Sequence, residues 1–311
     1  MPAGKAKFPW MVLRVRRICS DRRPDVVICW HNGFSSAVLL GARLAGVRCL
    51  LTHGGNPPTP TLGGKLYTAY TTFMLSLAGA KMVCCSRYVE REFASLPGVC
   101  ATVLTMVLNC IPVSRIAAKA DEARRNRVDA KRRIIMVATL EPHKDYATLL
   151  RAMVHVRRAI PEVELLLAGN GSLRERLERV AFELGVTESV RFLGTRSDVP
   201  SLLGGSDLFV FSTTPQEGLP GALLEALAAN IPIVASDVPP CREVLNNGTM
   251  GTMVIPGNPQ ALAAAIIQQL EQQQSFSDPA TRDAYLKKFT VESMINGYLE
   301  KTEIFARNTV L

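Results

Sequence analysis

The stretch from Thr213 to Ser236, TTPQEGLPGALLEALAANIPIVAS, restricts the folds open to this chain more than any other. Leu208, Val210 and Phe211 close an apolar run ahead of it, which reads as a buried parallel strand. A polar loop, 212–218, comes next. Pro220 stands where a helix can start, because the N–H it lacks would have no intrahelical partner there. Leu223, Leu224, Leu227 and Ala228 fall on one helical face. Asn230 and Pro232 end that helix, and 231–235 reads as another buried strand. The unit is strand, loop, short helix, strand, with Glu217 in the loop and Glu225 inside the helix. Free N–H groups and the positive dipole end of the helix favour an anion beside the loop.

The same alternation runs through the chain. Apolar runs at 26–30, 48–51, 81–85 and 102–107 are separated by helical patterns over 8–20, 34–45, 66–77 and from Ser86, whose hydroxyl suits a helix N-cap. Further strands are expected at 134–138, 163–168, 190–193 and 208–211, with helices over 146–159, 173–184, 199–203, 259–273 and most of 283–307. Strands alternating with helices mean parallel sheets covered on both faces. A length of 311 residues suits two such domains. The charged segment 115–133 reads as the linker between them.

Charge separates the two halves. Residues 1–133 hold 21 Lys and Arg against 7 Asp and Glu, a net +14, while 134–311 carries a net −5. A basic half attracts anionic membrane surfaces or phosphorylated lipids; a solvated basic surface without a partner is the plain alternative. Nucleic acid is disfavoured, since aromatics make up only 6% of the chain and do not interleave with the basic residues. No apolar run reaches the roughly 18–20 residues of a membrane span. The eight cysteines form no C-x-x-C pair and no metal-ligand spacing, so buried free thiols in a reducing compartment are expected.

Two carboxylates flanking an anion site suit a sugar nucleotide, whose hydroxyls need acceptors and whose diphosphate needs donors. Glu217-Gly218-Leu219-Pro220 with Glu225 eight residues on resembles the E-x7-E motif of the family 4 retaining glycosyltransferases of GT-B fold. The likeness runs from about Ile134 to about Pro256. It implies an α/β protein with two Rossmann-like doubly wound domains facing a cleft. Expected bounds are 1–133 for an acceptor-side domain with its basic linker, 134–282 for the nucleotide-sugar domain, and 283–311 for a helix crossing back to the first. Only four strands precede the linker, so the first domain is read as incomplete. Its strand at 26–30 would then be an apolar edge prone to pairing with another chain.

The resemblance also assigns roles. Lys144, in L-E-P-H-K-D, takes the place of the lysine that binds the donor diphosphate. Thr139 stands where the family usually has an arginine, which removes one cation from the diphosphate site. Gly169-Asn170-Gly171 resembles the family G-x-G turn; it lacks the third glycine of a dinucleotide loop. The Arg196 backbone is the candidate for the nucleotide base. Glu225 would accept from the ribose hydroxyls, Glu217 would face the donor sugar, and the N–H groups of Gly218 and Leu219 would meet phosphate or sugar oxygens. His53, in T-H-G-G-N, is either a residue facing the sugar or a structural histidine at a strand end; His31 is a weaker candidate. Positive charge and helix dipoles stabilise the leaving group in this family, so no metal or other cofactor is expected. The implied function is transfer of a sugar from a nucleoside diphosphate donor to a saccharide or lipid-linked acceptor in envelope or extracellular polysaccharide synthesis. The expected location is cytoplasmic and peripheral on the inner face of the membrane. A non-catalytic or partner-dependent binding remnant, and an epimerase of the same fold, are the alternatives.

Overall fold

A computed structural model describes residues 8–30, 32–272 and 278–308. It divides into two compact units, one comprising residues up to Asn109 together with those from Glu292, the other Cys110–Val291. His31 lies outside the described residues.

The first unit runs α1 (Phe8–Arg22), β1 (Val26–Cys29), α2 (Ser35–Leu44), β2 (Cys49–Gly54), α3 (Leu62–Leu77), β3 (Lys81–Cys84), α4 (Arg87–Ala94) and β4 (Leu104–Met106). Its strands pair in parallel in chain order, β1-β2-β3-β4. Ser86 caps α4 as its position suggests, its Oγ accepting from the Val89 N–H at 3.1 Å. Cys49, Leu51, Val83 and Val107 form one buried cluster, against which Met294 and Tyr298 of the chain's last helix pack. β1 lies at one edge of this sheet, with Ile28 exposed.

The second unit continues with α5 (Val113–Arg125), β5 (Arg132–Val137), α6 (Tyr146–Ala159), β6 (Val163–Ala168), α7 (Arg174–Glu183), β7 (Val190–Gly194), α8 (Val199–Gly204) and β8 (Leu208–Phe211). Then come α9 (Gly221–Ala228), β9 (Ile233–Ser236), α10 (Pro239–Val244), β10 (Thr252–Val254), α11 (Pro259–Gln272) and α12 (Pro279–Leu286); α13 (Val291–Asn308) follows. The sheet is parallel throughout, in the order β10-β9-β8-β5-β6-β7. β6, β8 and β9 are buried at every residue, as strands covered on both faces must be.

Three expectations change. The charged segment 115–133 is no open linker: 113–125 is α5, whose Ile116 and Ala120 are buried. Gly204 of α8 lies so close to it that a Cβ there would meet the Ala120 carbonyl oxygen at 2.0 Å. The Arg124 guanidinium donates to the Ala229 carbonyl at 2.6 Å, so the arginines decorate a helix packed on one side. The pattern over 283–307 is two helices, because Thr290 is extended (φ −80°, ψ 161°) after a turn of 3-10 helix at Lys287–Phe289. α10 and β10 were not expected, being too short to show a period.

The strand order fixes where a ligand can sit. From β5 the chain moves outward through β6 and β7, then returns to β5's other side for β8, β9 and β10. The crevice outside the carboxyl ends of β5 and β8 is therefore the topological switch point of a doubly wound sheet, where such folds bind ligands.

Candidate functional site

The loops after β5 and β8 meet at that switch point. Lys144 and Thr213 form an isolated antiparallel bridge. The Asp145 N–H donates to the Ser212 carbonyl at 3.0 Å and the Thr214 N–H to the His143 carbonyl at 3.1 Å. Asp145 also caps α6, accepting from the Thr148 N–H at 3.1 Å. Lys144 is thus held by backbone on both sides, and its side chain turns inward.

That side chain and Glu217 are both more than nine-tenths buried, and the Lys144 ammonium donates to Glu217 Oε1. Thr213 Oγ1 lies 3.0 Å from the same carboxylate oxygen and 3.0 Å from the His143 carbonyl, so its single proton serves one or the other. His143 Nε2 is 3.7 Å from Glu217 Oε1. The ammonium also stands 4.7 Å from the centre of the Phe211 ring, a cation–π contact. Ser236, which ends β9, accepts from the Thr213 N–H at 3.0 Å and joins a third strand end to the group. Burial raises the pKa of the nearby Cys241 thiol, and the Glu217 charge adds to it.

Glu217, Gly218, Leu219 and Pro220 are all buried, and α9 starts directly after them. Gly221 faces open space: a Cβ there would touch nothing within 4 Å. Glu225 lies one turn into α9, half-buried. Among the described residues its carboxylate has neither hydrogen-bond nor ion-pair partner, and burial alone pushes its pKa up. A desolvated carboxylate left without a donor is destabilising unless something outside the chain supplies one.

The glycine-rich turn after β6 packs on the backbone of the β5 loop. Gly169 has φ +149°, and a Cβ there would stand 1.9 Å from the Ala138 oxygen; at Gly171 it would stand 2.5 Å from the Leu140 oxygen. The Leu140 N–H donates to the Asn170 carbonyl at 3.1 Å and the Gly169 N–H to the Gly194 carbonyl at 2.8 Å. Glu141 accepts from the Ser172 N–H (3.0 Å) and hydroxyl (2.8 Å), and these bonds hold its pKa below the usual carboxylate range. The turn thus fixes the exposed Thr139 at the end of β5. Arg196, beyond β7, is exposed, and its guanidinium is held by Asp198 at 2.8 and 2.6 Å, which leaves its backbone for any ligand.

His53 belongs to the first unit, at the end of β2. Its ring lies 4.6 Å from that of Trp30, its Nδ1 is 3.3 Å from the Tyr298 hydroxyl, and burial lowers its pKa. It is a half-buried histidine in an aromatic cluster.

The structure therefore brings Lys144, Glu217, Gly218, Leu219 and Glu225 to the ends of β5 and β8, with Thr139 and Gly169 beside them. Thr213, His143 and Ser236 were not singled out from sequence. Thr213 and Ser236 stand at or just past the end of an apolar run, where Ser and Thr are too common to select, and His143 is a loop residue next to Lys144. A groove of about 570 Å³ lies farther along, lined by Asp237, Arg242, Asn247, Gly248, Gly251, Thr252 and Met253. Its cation is already engaged, Arg242 being paired with Asp237 at 2.5 and 2.8 Å.

Comparison with known proteins decides the family. The sequence family described as Glycosyl transferases group 1 matches residues 118–285, more than half of the chain. The chain belongs to this family. Among curated relatives, it is 28% identical over 278 residues to the GDP-mannose-dependent alpha-(1-6)-phosphatidylinositol monomannoside mannosyltransferase of Mycolicibacterium smegmatis, covering 83% of this chain and 70% of that protein. It is 30% identical over 159 residues to the lipopolysaccharide core biosynthesis glycosyltransferase LpsE of Rhizobium meliloti, covering 50% of this chain and 45% of that one. Among solved structures, Anabaena HepE in complex with UDP and glucose superimposes with a TM-score of 0.82 at 19% identity, over 97% of this chain and 84% of that chain. At that identity the likeness speaks for the fold, which is GT-B with two Rossmann-like units.

Proposed function

We propose that this group 1 glycosyltransferase moves a hexosyl group from a nucleoside diphosphate sugar to a saccharide or lipid-linked acceptor, with retention of anomeric configuration, as a family 4 enzyme. The observation that carries the reading is Glu225: a half-buried carboxylate at the switch point with no donor among the described residues. Ribose hydroxyls are donors of the right kind and would compensate its desolvation. Glu217 would take the sugar hydroxyls, sharing its charge with Lys144. The N–H groups of Gly218 and Leu219 and the start of α9 would face the diphosphate, whose charge grows as the bond to the sugar breaks. Thr139 supplies a hydroxyl and no charge, so Lys144 would carry more of the diphosphate than where an arginine stands at that position. Gly169 would hold Thr139 in place, and the Arg196 backbone would meet the base. His53 would face the acceptor side of the sugar as a neutral imidazole. No metal or other cofactor enters this scheme.

The names of the relatives point to envelope glycolipid or polysaccharide synthesis as the setting, with a lipid-linked acceptor. Such an acceptor suits a cytoplasmic enzyme held at the inner face of a membrane. No helix among the described residues is long and apolar enough to cross one. A second reading, sugar-nucleotide binding without transfer, is favoured by the missing cation at Thr139. A thermal-shift panel of UDP, GDP and ADP and their sugars tests both. Stabilisation by one sugar nucleotide, together with release of its nucleoside diphosphate when a saccharide or lipid-linked acceptor takes the sugar, supports transfer; stabilisation without release supports the second reading. No shift with any nucleotide would reject both.

A further inference from the structure

α3 is inverted. A helix on the surface of a globular unit normally turns its apolar stripe inward. The residues α3 buries are Thr68, Thr71, Thr72 and Leu75. The residues it exposes include Leu62 (76%), Leu66 (64%), Tyr70 (48%), Phe73 (57%) and Leu77 (65%). At 100° per residue these five fall on one arc of roughly 80°, opposite the threonines. Two of the three buried threonines are satisfied within the helix, while the Thr71 hydroxyl has no hydrogen-bond partner among the described residues. Thr61 caps the helix, accepting from the Gly64 N–H at 3.1 Å. The buried Thr68 and Thr72 hydroxyls donate to the helix's own carbonyls, of Gly64 at 2.9 Å and Thr68 at 3.0 Å.

The segment that carries this stripe is basic. From Val26 to Val89 the sequence contains no Asp or Glu. Lys65 rises from the first turn of α3. At the other end, the Arg43 guanidinium comes within 3.9 Å of where a Cβ would stand on Gly79, just past the helix. Both are exposed, and neither has a carboxylate partner among the described residues. An apolar stripe with an exposed cation at each end, on a segment that carries no Asp or Glu of its own, complements an anionic lipid surface. Sixteen residues span about 24 Å, shorter than the roughly 30 Å hydrocarbon core, so the helix would lie in the interface. Tyr67 and Tyr70 offer an apolar body with a polar tip, as interfacial aromatics do.

We propose that the exposed face of α3 inserts into the headgroup–acyl boundary of an anionic membrane. This docking does not depend on the transferase reading, and its failure would leave that reading intact. The test is flotation of the full chain with phosphatidylcholine vesicles with and without phosphatidylglycerol, comparing wild type with Leu66→Ser/Phe73→Ser, Lys65→Glu and Leu13→Ser on α1. The expected result is binding that needs phosphatidylglycerol, weakens with salt, and falls roughly tenfold for each of Leu66 and Phe73 replaced. Lys65→Glu should also weaken it, while Leu13→Ser should not. The unfolding midpoint of the double variant should be unchanged or higher, since both side chains are exposed, and this shows it is folded. Wild-type affinity in the folded double variant would overturn the proposal. So would a wild-type dimer that binds no vesicles and becomes monomeric in that variant, which would make a second copy the occupant.

Discussion

Replacing Glu225 separates stability from binding in a way that few substitutions can. The folded chain holds this carboxylate half-buried, with its pKa raised by burial. A raised carboxyl pKa means that the stabilising, protonated form is fully populated below the unfolded value and is lost as pH rises toward and through the folded value. At neutral pH the ionised group therefore costs the empty protein stability. Glu225→Gln keeps the shape and removes the charge, so it should leave the unfolding midpoint unchanged or raise it at neutral pH. The difference from wild type should shrink as pH falls and the native carboxyl is protonated. The nucleotide complex should behave in the opposite way. Hydrogen bonds to a charged group are worth about 1.5–3 kcal/mol each. Glu225→Ala should then weaken the nucleotide by about 2–3 kcal/mol, roughly 30- to 150-fold in Kd, and Glu225→Gln by about 1 kcal/mol because one carbonyl acceptor survives. Titration calorimetry and pH-dependent thermal unfolding on the same preparations measure both sides. An unchanged Kd for Glu225→Ala, or a lower midpoint for Glu225→Gln at pH 7, would show that the carboxylate is not a vacant acceptor.

Lys144→Ala leaves the Glu217 charge buried without its partner and should cost about 3–5 kcal/mol, whereas Lys144→Met with Glu217→Gln should restore most of it; urea unfolding of the three variants shows whether the pair behaves this way. Glu217→Ala should lower turnover more than nucleotide affinity, because the carboxylate is placed on the sugar; equal losses in both, by initial-rate kinetics and calorimetry, would move it elsewhere. Gly169→Ala should destabilise by roughly 2–4 kcal/mol, since its Cβ would stand 1.9 Å from a carbonyl oxygen at φ +149°, and a thermal midpoint equal to wild type would refute that close approach. The pKa of His53 is lowered by burial, so stability should fall as pH drops through the unfolded value near 6.5 and the imidazole must charge. His53→Phe should remove that acid-side loss, as followed by denaturation at stepped pH.

Much of this could be read from the sequence because the second unit is locally consistent. β6, β8 and β9 are short, wholly buried and mostly apolar, with Glu164 the one charged residue among them, and α6 carries its own cap in Asp145. Glu217 and Glu225 were legible from their spacing and from the Pro220 that starts α9. What the sequence could not show was the register between strand ends. The bridge from Lys144 to Thr213, which turns the lysine inward onto Glu217, depends on β8 lying beside β5, and that order is a property of the sheet. α5 was missed because its charges hide a narrow buried stripe of Ile116 and Ala120. The inverted face of α3 was missed for the opposite reason: its apolar residues have the period of a core-facing helix, and only the exposures reveal which way they point.

The central claim is that the ends of β5 and β8 hold a sugar nucleotide. A crystal structure of the chain with the nucleoside diphosphate that gives the largest thermal shift tests it most directly. The account predicts the ribose hydroxyls about 2.7–3.0 Å from the Glu225 carboxylate, with the diphosphate against the Gly218 and Leu219 N–H groups and within reach of Lys144. A nucleotide seated elsewhere, as in the groove beside Arg242, with Glu225 still unpartnered, would contradict it.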